Sequence, residues 1–553
     1  MMIIQDILKI VYIRNLIFQN VNEISKKCAR MDMTIIRNDS FKGRDIINLP
    51  FLGMITRFAM PWDFIKHYLP DKDSIVYERR VDVINQYCAH RNATLETLDH
   101  LIQDWSIDYN PIRPNAYTPS FIINDIAKVG HLDIIQRLIQ NYPTLPLDYA
   151  ADTAASHGHY DIVEYFHQLG NVPFSCQAME LSACHGHLNI VQFLYLNRTE
   201  GCTFNTMNMT AANGYLDVVQ WLHLHTSHGC TTNAMDHASR GGHLNVVIWL
   251  HENRTEGCTS NAMDEAAMNN HLHVLEWLHL NRSEGCTTLG MDDAAMFGNL
   301  EAVKWLHQYR TEGCTTEAID QAAKYGNLEV VQWLNENRSE KCTSVAMDLA
   351  LANDDQQGHK DILEMMTYIH ERIGPGCSYM APLMAAENGV LEVIQYLNQH
   401  YGSQSSIWSV RVMDKAAMKG HLNIVQFLHL NRSEGCTTNA MDLASRDGHL
   451  NVVQWLHLNR SEGCTTLAMD NAAEKGHLNI LKYLHQHRSE GCTTNAMDRS
   501  VVKGRIEIVQ WLYTNLAIGC THAVLDINGL NHQDISKTVQ YLLDHGGSLK
   551  LLI

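Results

Sequence analysis

Apolar residues recur along most of the chain in one pattern, whose clearest copy begins at Asn439. Met441 and Ala444 supply the apolar side of a first short helix, and Gly448 suits the left-handed position that ends such a helix. Asn439 and Asp442 are spaced as in a capping box at the start of that helix. Apolar residues at helical spacing then form the face of a second helix: Leu450, Val452, Val453, Trp455 and Leu456. The pattern predicts two short antiparallel helices per unit and no strand.

The unit is repeated at a constant step. Gly420 and Gly448, which end successive first helices, are 28 residues apart. The same glycine recurs at Gly130, Gly158, Gly186, Gly214, Gly242, Gly298, Gly326, Gly476 and Gly504, and Asn270 takes its place once. Because a unit of this size cannot bury its apolar face alone, neighbouring units must stack into one continuous core. A tryptophan column is predicted in that core, formed by Trp221, Trp249, Trp277, Trp305, Trp333, Trp455 and Trp511.

The repeated motif Ala-Met-Asp-x-Ala-Ala-x-x-Gly-His-Leu-x-Val-Val resembles the ankyrin repeat, whose pattern runs Thr-Pro-Leu-His-x-Ala-Ala-x-x-Gly-His-x-x-Val-Val. The resemblance covers residues 119–553 and implies an all-α fold, an ankyrin-type helical solenoid of about 14 two-helix repeats. The step is shorter than the family's roughly 33 residues. The shortage falls in Ser-Glu-Gly-Cys-Thr-Thr, where the family has a β-hairpin finger, so complete fingers are not expected. The last segment, from about 526 to 553, resembles a C-terminal cap.

Two regions depart from the repeat. Between about residues 350 and 412 the step lengthens, and Trp408 lies in a polar insert. This stretch is interpreted as decayed repeats with longer loops, or as a hinge or partner site, and the tryptophan favours partner contact. Residues 1–118 lack the repeat and are predicted to form a helical N-terminal region. That region is a cap for the first repeat, a set of eroded repeats, or a segment weakly similar to an F-box.

Composition restricts the class of partner. The formal charge of −18 argues against nucleic acid, whose binding needs a surplus of Lys and Arg, and against an anionic membrane surface. No apolar stretch is long enough for a transmembrane helix, and a cytoplasmic or nuclear location is expected. The expected partner is therefore another protein.

Candidate chemical groups are explained by the repetition itself. One cysteine recurs per unit and is expected to be a packed free thiol, because one ligand per unit builds no zinc site and adjacent units are too far apart for disulfides. Two histidine columns are interpreted as structural, with a loss of stability if they become protonated at acid pH. Pairs such as Arg432 with Glu434 are predicted to be surface charge ladders. No catalytic residue, cofactor or metal is predicted, since a catalytic centre needs a singular set of groups.

The repeats can be compared with one another to find candidate binding residues. Positions that stay fixed serve the stack, whereas positions at the end of the first helix vary. The varying residues are Ser239, Arg240, Met268, Asn269, Met296, Phe297, Lys324, Tyr325, Met418, Lys419, Arg446, Asp447, Glu474 and Lys475. The resemblance to ankyrin repeats places them on a concave face, where Phe297 and Tyr325 are the candidate anchors.

These observations predict a protein–protein interaction scaffold that binds a partner protein or peptide along the concave face of the array. The alternative is a substrate-recognition subunit of a ubiquitin ligase that uses residues 1–118 to dock an adaptor. An enzyme with an unrecognised site outside the repeats is the least favoured hypothesis.

Overall fold

The computed structural model describes residues 52–72, 75–112, 121–351, 359–374, 376–516 and 518. Its N-terminal part contains the helices Gly53–Thr56, Trp62–Ile65, Tyr77–Cys88 and Leu95–His100, the last continued by a π-helical turn at Leu101–Trp105. The predicted C-terminal cap at 526–553 and the start of the N-terminal region lie outside the described residues.

Fourteen helix pairs follow in the described residues, in agreement with the predicted number. The first helices are Ile122–Val129, Ala150–Ser156, Cys176–Cys184, Phe204–Ala212, Asn233–Arg240, Asn261–Met268, Thr288–Met296, Glu317–Lys324, Val345–Ala350, Met380–Asn388, Val410–Met418, Thr438–Asp447, Thr466–Lys475 and Thr494–Val502. The second helices are Leu132–Asn141, Tyr160–Leu169, Leu188–Asn197, Leu216–His225, Leu244–Asn253, Leu272–Asn281, Leu300–Tyr309, Leu328–Asn337, His359–Tyr368, Leu391–Tyr401, Leu422–Asn431, Leu450–Asn459, Leu478–His487 and Ile506–Leu516. A π-helical turn at Ile369–Ile373 continues the ninth of these.

The fold is an all-α helical repeat solenoid, as predicted. No strand occurs in the part of the chain that the structure describes, so the segments that replace the β-hairpin fingers are irregular loops there. Two compact units are distinguished along the chain. The first ends at Glu265 and also includes Glu276–Glu284, and the second comprises Ala266–Leu275 and the residues from Gly285 onward. Within each unit, first helices of successive pairs pack against each other.

The helix ends follow the predicted glycine pattern but not the predicted cap. Gly448 ends its helix with a φ of 92°, and Asn270 adopts the same left-handed region with a φ of 59°. The prediction that Asn439 caps the first helix with Asp442 is wrong. Thr437 is the N-cap, and its hydroxyl accepts a hydrogen bond from the backbone N–H of Asn439. Asp442 is occupied elsewhere, because its carboxylate bonds to the next repeat.

The core lies between the two helices of each pair and between neighbouring pairs. Met441, Ala444, Val452, Val453 and Leu456 are buried, as the apolar pattern predicts. The predicted tryptophan column in this core is wrong, because the repeated tryptophans are only half-buried. They lie at the border of the apolar face of the second helix, where the 3.6-residue period leaves one edge of the ring in contact with solvent.

The described N-terminal residues contact the first helix pair. The helices Tyr77–Cys88 and Leu95–His100 pack against Ile122–Val129 and Leu132–Asn141 respectively. His131 Nε2 lies 3.0 Å from the backbone oxygen of His90, and an ion pair joins Arg137 to Asp99 at 2.9 Å. Part of the N-terminal region therefore stacks on the array through helices.

Trp408, in the irregular stretch, is buried with 5% of its surface exposed. Its indole N–H donates to the backbone oxygen of Tyr401 at 3.2 Å, and the Arg432 guanidinium lies 4.5 Å from its ring centroid. The prediction that this tryptophan favours contact with a partner is therefore wrong. The insert folds its aromatic side chain inward and packs it on the following repeat.

Candidate partner-binding surface

The fixed aspartate of each repeat bonds to the next repeat. Asp442 Oδ1 accepts from the backbone N–H of Thr465 at 2.8 Å, and Oδ2 accepts from its hydroxyl at 2.7 Å. The Thr465 hydroxyl in turn accepts from the N–H of Leu467 and caps the next first helix. We call this arrangement the Asp–Thr clamp. It recurs at Asp152–Ser175, Asp236–Thr259, Asp292–Thr315, Asp320–Thr343, Asp348–Ser378, Asp414–Thr437 and Asp470–Thr493.

Burial dominates the electrostatics of the clamp. Desolvation raises the pKa of Asp442 above its ordinary value, and the hydrogen bonds from Thr465 oppose that shift. One repeat replaces the carboxylate with an amide: Asn208 accepts from the N–H of Thr231 and donates to its hydroxyl, both at 3.0 Å. The clamp therefore needs the shape of the side chain more than its charge.

A second set of contacts centres on the loop arginine. Arg338 donates to both carboxylate oxygens of Glu340, at 2.5 Å from Nη2 and 3.2 Å from Nε. Its Nη1 lies 3.4 Å from Nδ1 of His307 in the preceding repeat, and because arginine only donates, that nitrogen accepts. The imidazole also meets the edge of Trp333, with centroids 5.2 Å apart and an interplanar angle of 85°. We call this group the arginine staple.

The staple changes the interpretation of the arginine–glutamate pairs. The side chains of Arg338 and Glu340 expose only 19% and 26% of their surface, and the guanidinium also reaches Cys314 of the preceding repeat. The prediction of a surface charge ladder is wrong for these pairs. The arginine also bridges to a histidine of the preceding repeat at Arg254, Arg282 and Arg460. These residues hold the stack together.

The remaining repeated groups are also structural. His159 and His421, which follow the helix-ending glycine, bond through Nε2 to the carbonyls of Lys128 and Glu387 in the preceding repeat. The described cysteines are free thiols, and burial raises the pKa of Cys436 and Cys464 to about 11. A thiol with so high a pKa is a poor nucleophile at neutral pH. The predicted packing role of the cysteines is confirmed.

The predicted aromatic anchors are on the surface of the second unit. Phe297 exposes 54% of its surface and Tyr325 exposes 45%. Each follows the last residue of a first helix, and Met296, which precedes Phe297, is half-buried. Lys324 places its ammonium group 5.1 Å from the Tyr325 ring centroid. Consecutive repeats therefore present two exposed rings at the same position.

The predicted charged residues are also at the surface, and several pair with one another. Arg446 forms a two-point ion pair with Asp447, at 2.8 and 2.9 Å. Lys419 pairs with Glu387 at 3.4 Å, and Glu474 with Arg499 at 2.8 Å. Lys475 is exposed, and Met418 is half-buried beside Lys419. The structure therefore brings these residues onto one side of successive first helices.

The other predicted residues differ in accessibility. Arg240 and Asn269 are exposed, and Met268 is half-buried. Ser239 is fully buried, and its hydroxyl donates to the backbone oxygen of Met235 at 2.7 Å. The prediction that Ser239 varies because it faces a partner is wrong, since it replaces a buried alanine of other repeats.

Two surface features have no counterpart in the sequence prediction. Leucines near the ends of second helices expose 72–79% of their surface: Leu196, Leu224, Leu280, Leu430 and Leu458. Their position, two residues after a buried leucine of the same helix, was the signal that could have placed them outside the core. A cavity of about 370 Å³ near the N-terminal helices is lined by residues that include Arg57, Tyr87, His90 and Arg91.

Two further properties concern the described residues only. They contain no group of three or more His, Cys, Asp or Glu side chains arranged to hold a metal ion. None of their helices has the length and apolar character needed to span a membrane.

The geometry defines a helical repeat array, a class that generally serves as a binding scaffold. A family model of ankyrin repeats in many copies matches residues 235–279, 291–334 and 413–457, and a model of three ankyrin repeats matches residues 441–524. These matches identify ankyrin repeats at residues 235–279, 291–334 and 413–524.

Comparison with individual proteins adds little. No curated protein matches the chain. The crystal structure of the pentatricopeptide repeat protein PPR10 from maize is 12% identical, with 88% of this chain and 81% of that chain covered and a TM-score of 0.27. The structure of PPR10 in complex with an 18-nt psaJ RNA element is 10% identical, with 92% and 91% covered and a TM-score of 0.30. Scores at this level support no inference about partner or function.

Proposed function

We propose that the chain is a protein-interaction scaffold whose repeats bind a partner protein or peptide through the exposed sides of the first helices. The observation that carries this proposal is the separation of two classes of position. The fixed Asp, Thr, Arg, His and Cys residues bond to neighbouring repeats, whereas the residues that vary at the ends of the first helices are mostly exposed. Variation on an exposed side of a rigid stack is how a repeat array acquires specificity.

The proposal favours a protein partner and a role in binding. The formal charge of −18 disfavours a nucleic-acid partner, because phosphate contacts need cations. Catalysis is not proposed, since the Asp, His and Cys side chains of one repeat make the same contacts in the others. For the N-terminal region, the packing of the helices Tyr77–Cys88 and Leu95–His100 on the first helix pair supports a cap rather than an adaptor-docking segment.

The exposed rings of Phe297 and Tyr325 are the proposed anchors, because exposed aromatic residues dominate interface energies. The test is affinity capture with the full chain, followed by measurement of the affinity of each recovered partner. We expect Phe297→Ala with Tyr325→Ala to weaken binding by about 2 kcal/mol or more. Tyr309→Ala is the matched control, since this tyrosine is 49% exposed on a neighbouring second helix. A partner that tolerates the double variant but not Tyr309→Ala would place the interface on the other side.

The same experiment tests the ligase alternative. Recovery of a ubiquitin-ligase adaptor with the wild-type chain, unaffected by substitutions at the two rings, would support the ligase alternative. Recovery of partners that depend on the rings, without an adaptor, would support the plain scaffold.

A further inference from the structure

One stretch of the second unit has a local charge opposite to that of the whole chain. Cations recur near the ends of the first helices Val410–Met418, Thr438–Asp447, Thr466–Lys475 and Thr494–Val502, and three of them, Lys419, Lys475 and Lys503, directly precede the helix-ending glycine. We call this surface the basic strip, which comprises Lys415, Lys419, Arg446, Lys475, Arg499 and Lys503. Its carboxylates are Glu387, Asp447, Glu474 and the half-buried Asp498, so six cations face four anions.

Ion pairs show that the strip is one surface in which neighbouring repeats meet. Glu387 contacts two lysines of the next repeat, Lys415 at 3.1 Å and Lys419 at 3.4 Å. Arg499 reaches back to Glu474 of the preceding repeat at 2.8 Å. The pKa of Asp447 is lowered by hydrogen bonds from Arg446 and, more weakly, by the charge of Lys419. Glu387, Asp447 and Glu474 are therefore each already paired with a cation of the strip.

The buried carboxylates of these helices do not neutralise the strip. Asp414, Asp442 and Asp470 are buried and accept hydrogen bonds from a threonine of the next repeat. The exposed surplus of positive charge is therefore local. Lys475 and Lys503 are exposed and have no ion pair among the described residues.

Apolar side chains accompany the cations, whereas aromatic ones do not. Leu467 and Val502 expose 48% and 39% of their surface beside the strip. None of its four first helices contains an aromatic residue. Surfaces that bind single-stranded nucleic acid without sequence preference stack bases on aromatic side chains, which these four helices lack. The chemistry suits a peptide that combines carboxylates with aliphatic residues.

We infer that the basic strip binds an acidic peptide segment in an extended conformation across successive repeats. This inference deepens the proposed function and rests on it. Adjacent packed helices lie about 8–10 Å apart, and an extended chain advances about 3.3 Å per residue, so one repeat corresponds to about three residues of peptide. The segment therefore carries an acidic side chain at about every third position, with aliphatic residues between.

The test is fluorescence anisotropy with the full chain and three labelled probes. The first is a 12-residue peptide, a length chosen to span about four repeats, with Glu at every third position and Leu and Ser between. The second replaces each Glu with Gln, and the third is an oligouridine of similar length. We expect only the acidic peptide to bind, with an affinity that falls as salt is raised.

Charge reversal locates the site. Lys475→Glu with Lys503→Glu is expected to weaken peptide binding about tenfold or more, because two attractive contacts become repulsive. Lys482→Glu is the control for Lys475→Glu: its lysine is exposed on the second helix Leu478–His487, and the charge change per site is the same. Circular dichroism checks that the variants are folded.

The possible outcomes separate this inference from the proposed function. Binding of oligouridine in place of the peptide, or an equal effect of Lys482→Glu, overturns the inference. If captured partners depend on Phe297 and Tyr325 while the acidic peptide does not bind, only the inference fails and the scaffold proposal stands. Peptide binding that is lost on reversal of the strip alone supports both.

Discussion

The regular repeats that follow residue 412 and the irregular stretch at about 350–412, together with Asp348 just before it, make the same contacts with different residues. In the regular part, Asp442 and its partner Thr465 are 23 residues apart. In the irregular part, Asp348 is bonded in the same way to Ser378, 30 residues away, at 2.5 Å to the hydroxyl and 3.3 Å to the backbone N–H. The insertion lengthens the loop without breaking the clamp.

The arginine staple shows the same tolerance. In the regular repeats, Arg460 donates to Nδ1 of His429 at 3.2 Å. At the end of the irregular stretch no such histidine is available, and Arg432 donates to the Gly402 carbonyl at 2.7 Å and to the Asn398 side chain at 3.2 Å. Trp408 of the insert packs against this guanidinium. The bonds between neighbouring repeats, rather than the loop sequences, therefore define the unit.

The largest expected effect distinguishes the tryptophans of the two regions. Trp408→Ala removes a buried side chain and is expected to cost about 3–5 kcal/mol of unfolding free energy. Trp455→Ala removes a half-buried ring that forms a T-shaped contact with the His429 imidazole, and about 1–2 kcal/mol is expected. Urea denaturation of the full chain measures both. Equal losses of unfolding free energy would mean that Trp408 in the insert is no better packed than Trp455 at the border of its helix face.

The second prediction tests whether the two clamps are equivalent. Asp442→Ala and Asp348→Ala each leave the N–H and hydroxyl of a half-buried residue, Thr465 or Ser378, without their acceptor, at an expected cost of about 3 kcal/mol. Asp442→Asn should cost about 1 kcal/mol or less, because Asn208 already makes this clamp and the amide avoids burying a charge. Hydrogen exchange of the two flanking helix pairs locates the loss. A much smaller effect at Asp348 would show that the longer loop has weakened its clamp.

The repeat structure was predictable from sequence because the same signals occur in many copies. Helical spacing, the glycine at each helix end and the buried Met and Ala positions all follow from one unit, as at Met441 and Gly448. Exposure of Phe297 and Tyr325 was also predicted from their variation.

The hydrogen bonds that join neighbouring repeats were not predictable from the sequence of one unit. The sequence predicts that Asp442 caps its own helix, because the nearest hydrogen-bond partner along the sequence is in that helix. In the structure, Asp442 bonds to Thr465 in the next repeat. The sequence predicts the loop arginines at the surface for the same reason, since a contact such as that of Arg338 with His307 spans 31 residues. A constant separation between recurring Asp and Thr residues was the available signal. Trp408 was misassigned because a polar insert does not reveal that its one aromatic residue turns inward.

The third prediction concerns the glycine that ends the first helix on either side of the irregular stretch. Gly420 and Gly326 both have positive φ values, 82° and 76°. A methyl group at Gly420 would lie 2.6 Å from Cε1 and 2.8 Å from Cγ of His449, whereas at Gly326 no atom of the described residues lies within 4 Å of it. We expect Gly420→Ala to cost about 2–3 kcal/mol and Gly326→Ala about 1 kcal/mol, the latter from backbone strain alone. Similar denaturation midpoints for the two variants would show that the histidine moves aside freely.

The smallest expected effect is a pH dependence of the regular repeats. Burial lowers the pKa of His449 below its ordinary value of 6.5, and the charges of His421 and His477 add to this, against Asp447 and a hydrogen bond to Met418. The unfolded chain therefore binds more protons than the folded chain below about pH 6.5, so stability falls as the pH is lowered through that range. Buried carboxylates such as Asp442 act in the opposite direction, because folding raises their pKa. Their effect on stability occurs at lower pH, nearer to the range in which carboxylates ordinarily titrate.

His449→Asn isolates this contribution. The chain itself uses asparagine here, since Asn327 donates to the Met296 carbonyl at 2.8 Å, and the irregular stretch has the non-titrating Val390 in the same position. The variant should keep the hydrogen bond to the preceding repeat. When the pH is lowered from 7.5 to 5.5, its unfolding free energy should fall by about 0.5 kcal/mol less than that of the wild type. Urea denaturation at the two pH values measures the difference. If both proteins lost the same amount, burial of the imidazole would not be the cause, because the asparagine side chain does not titrate.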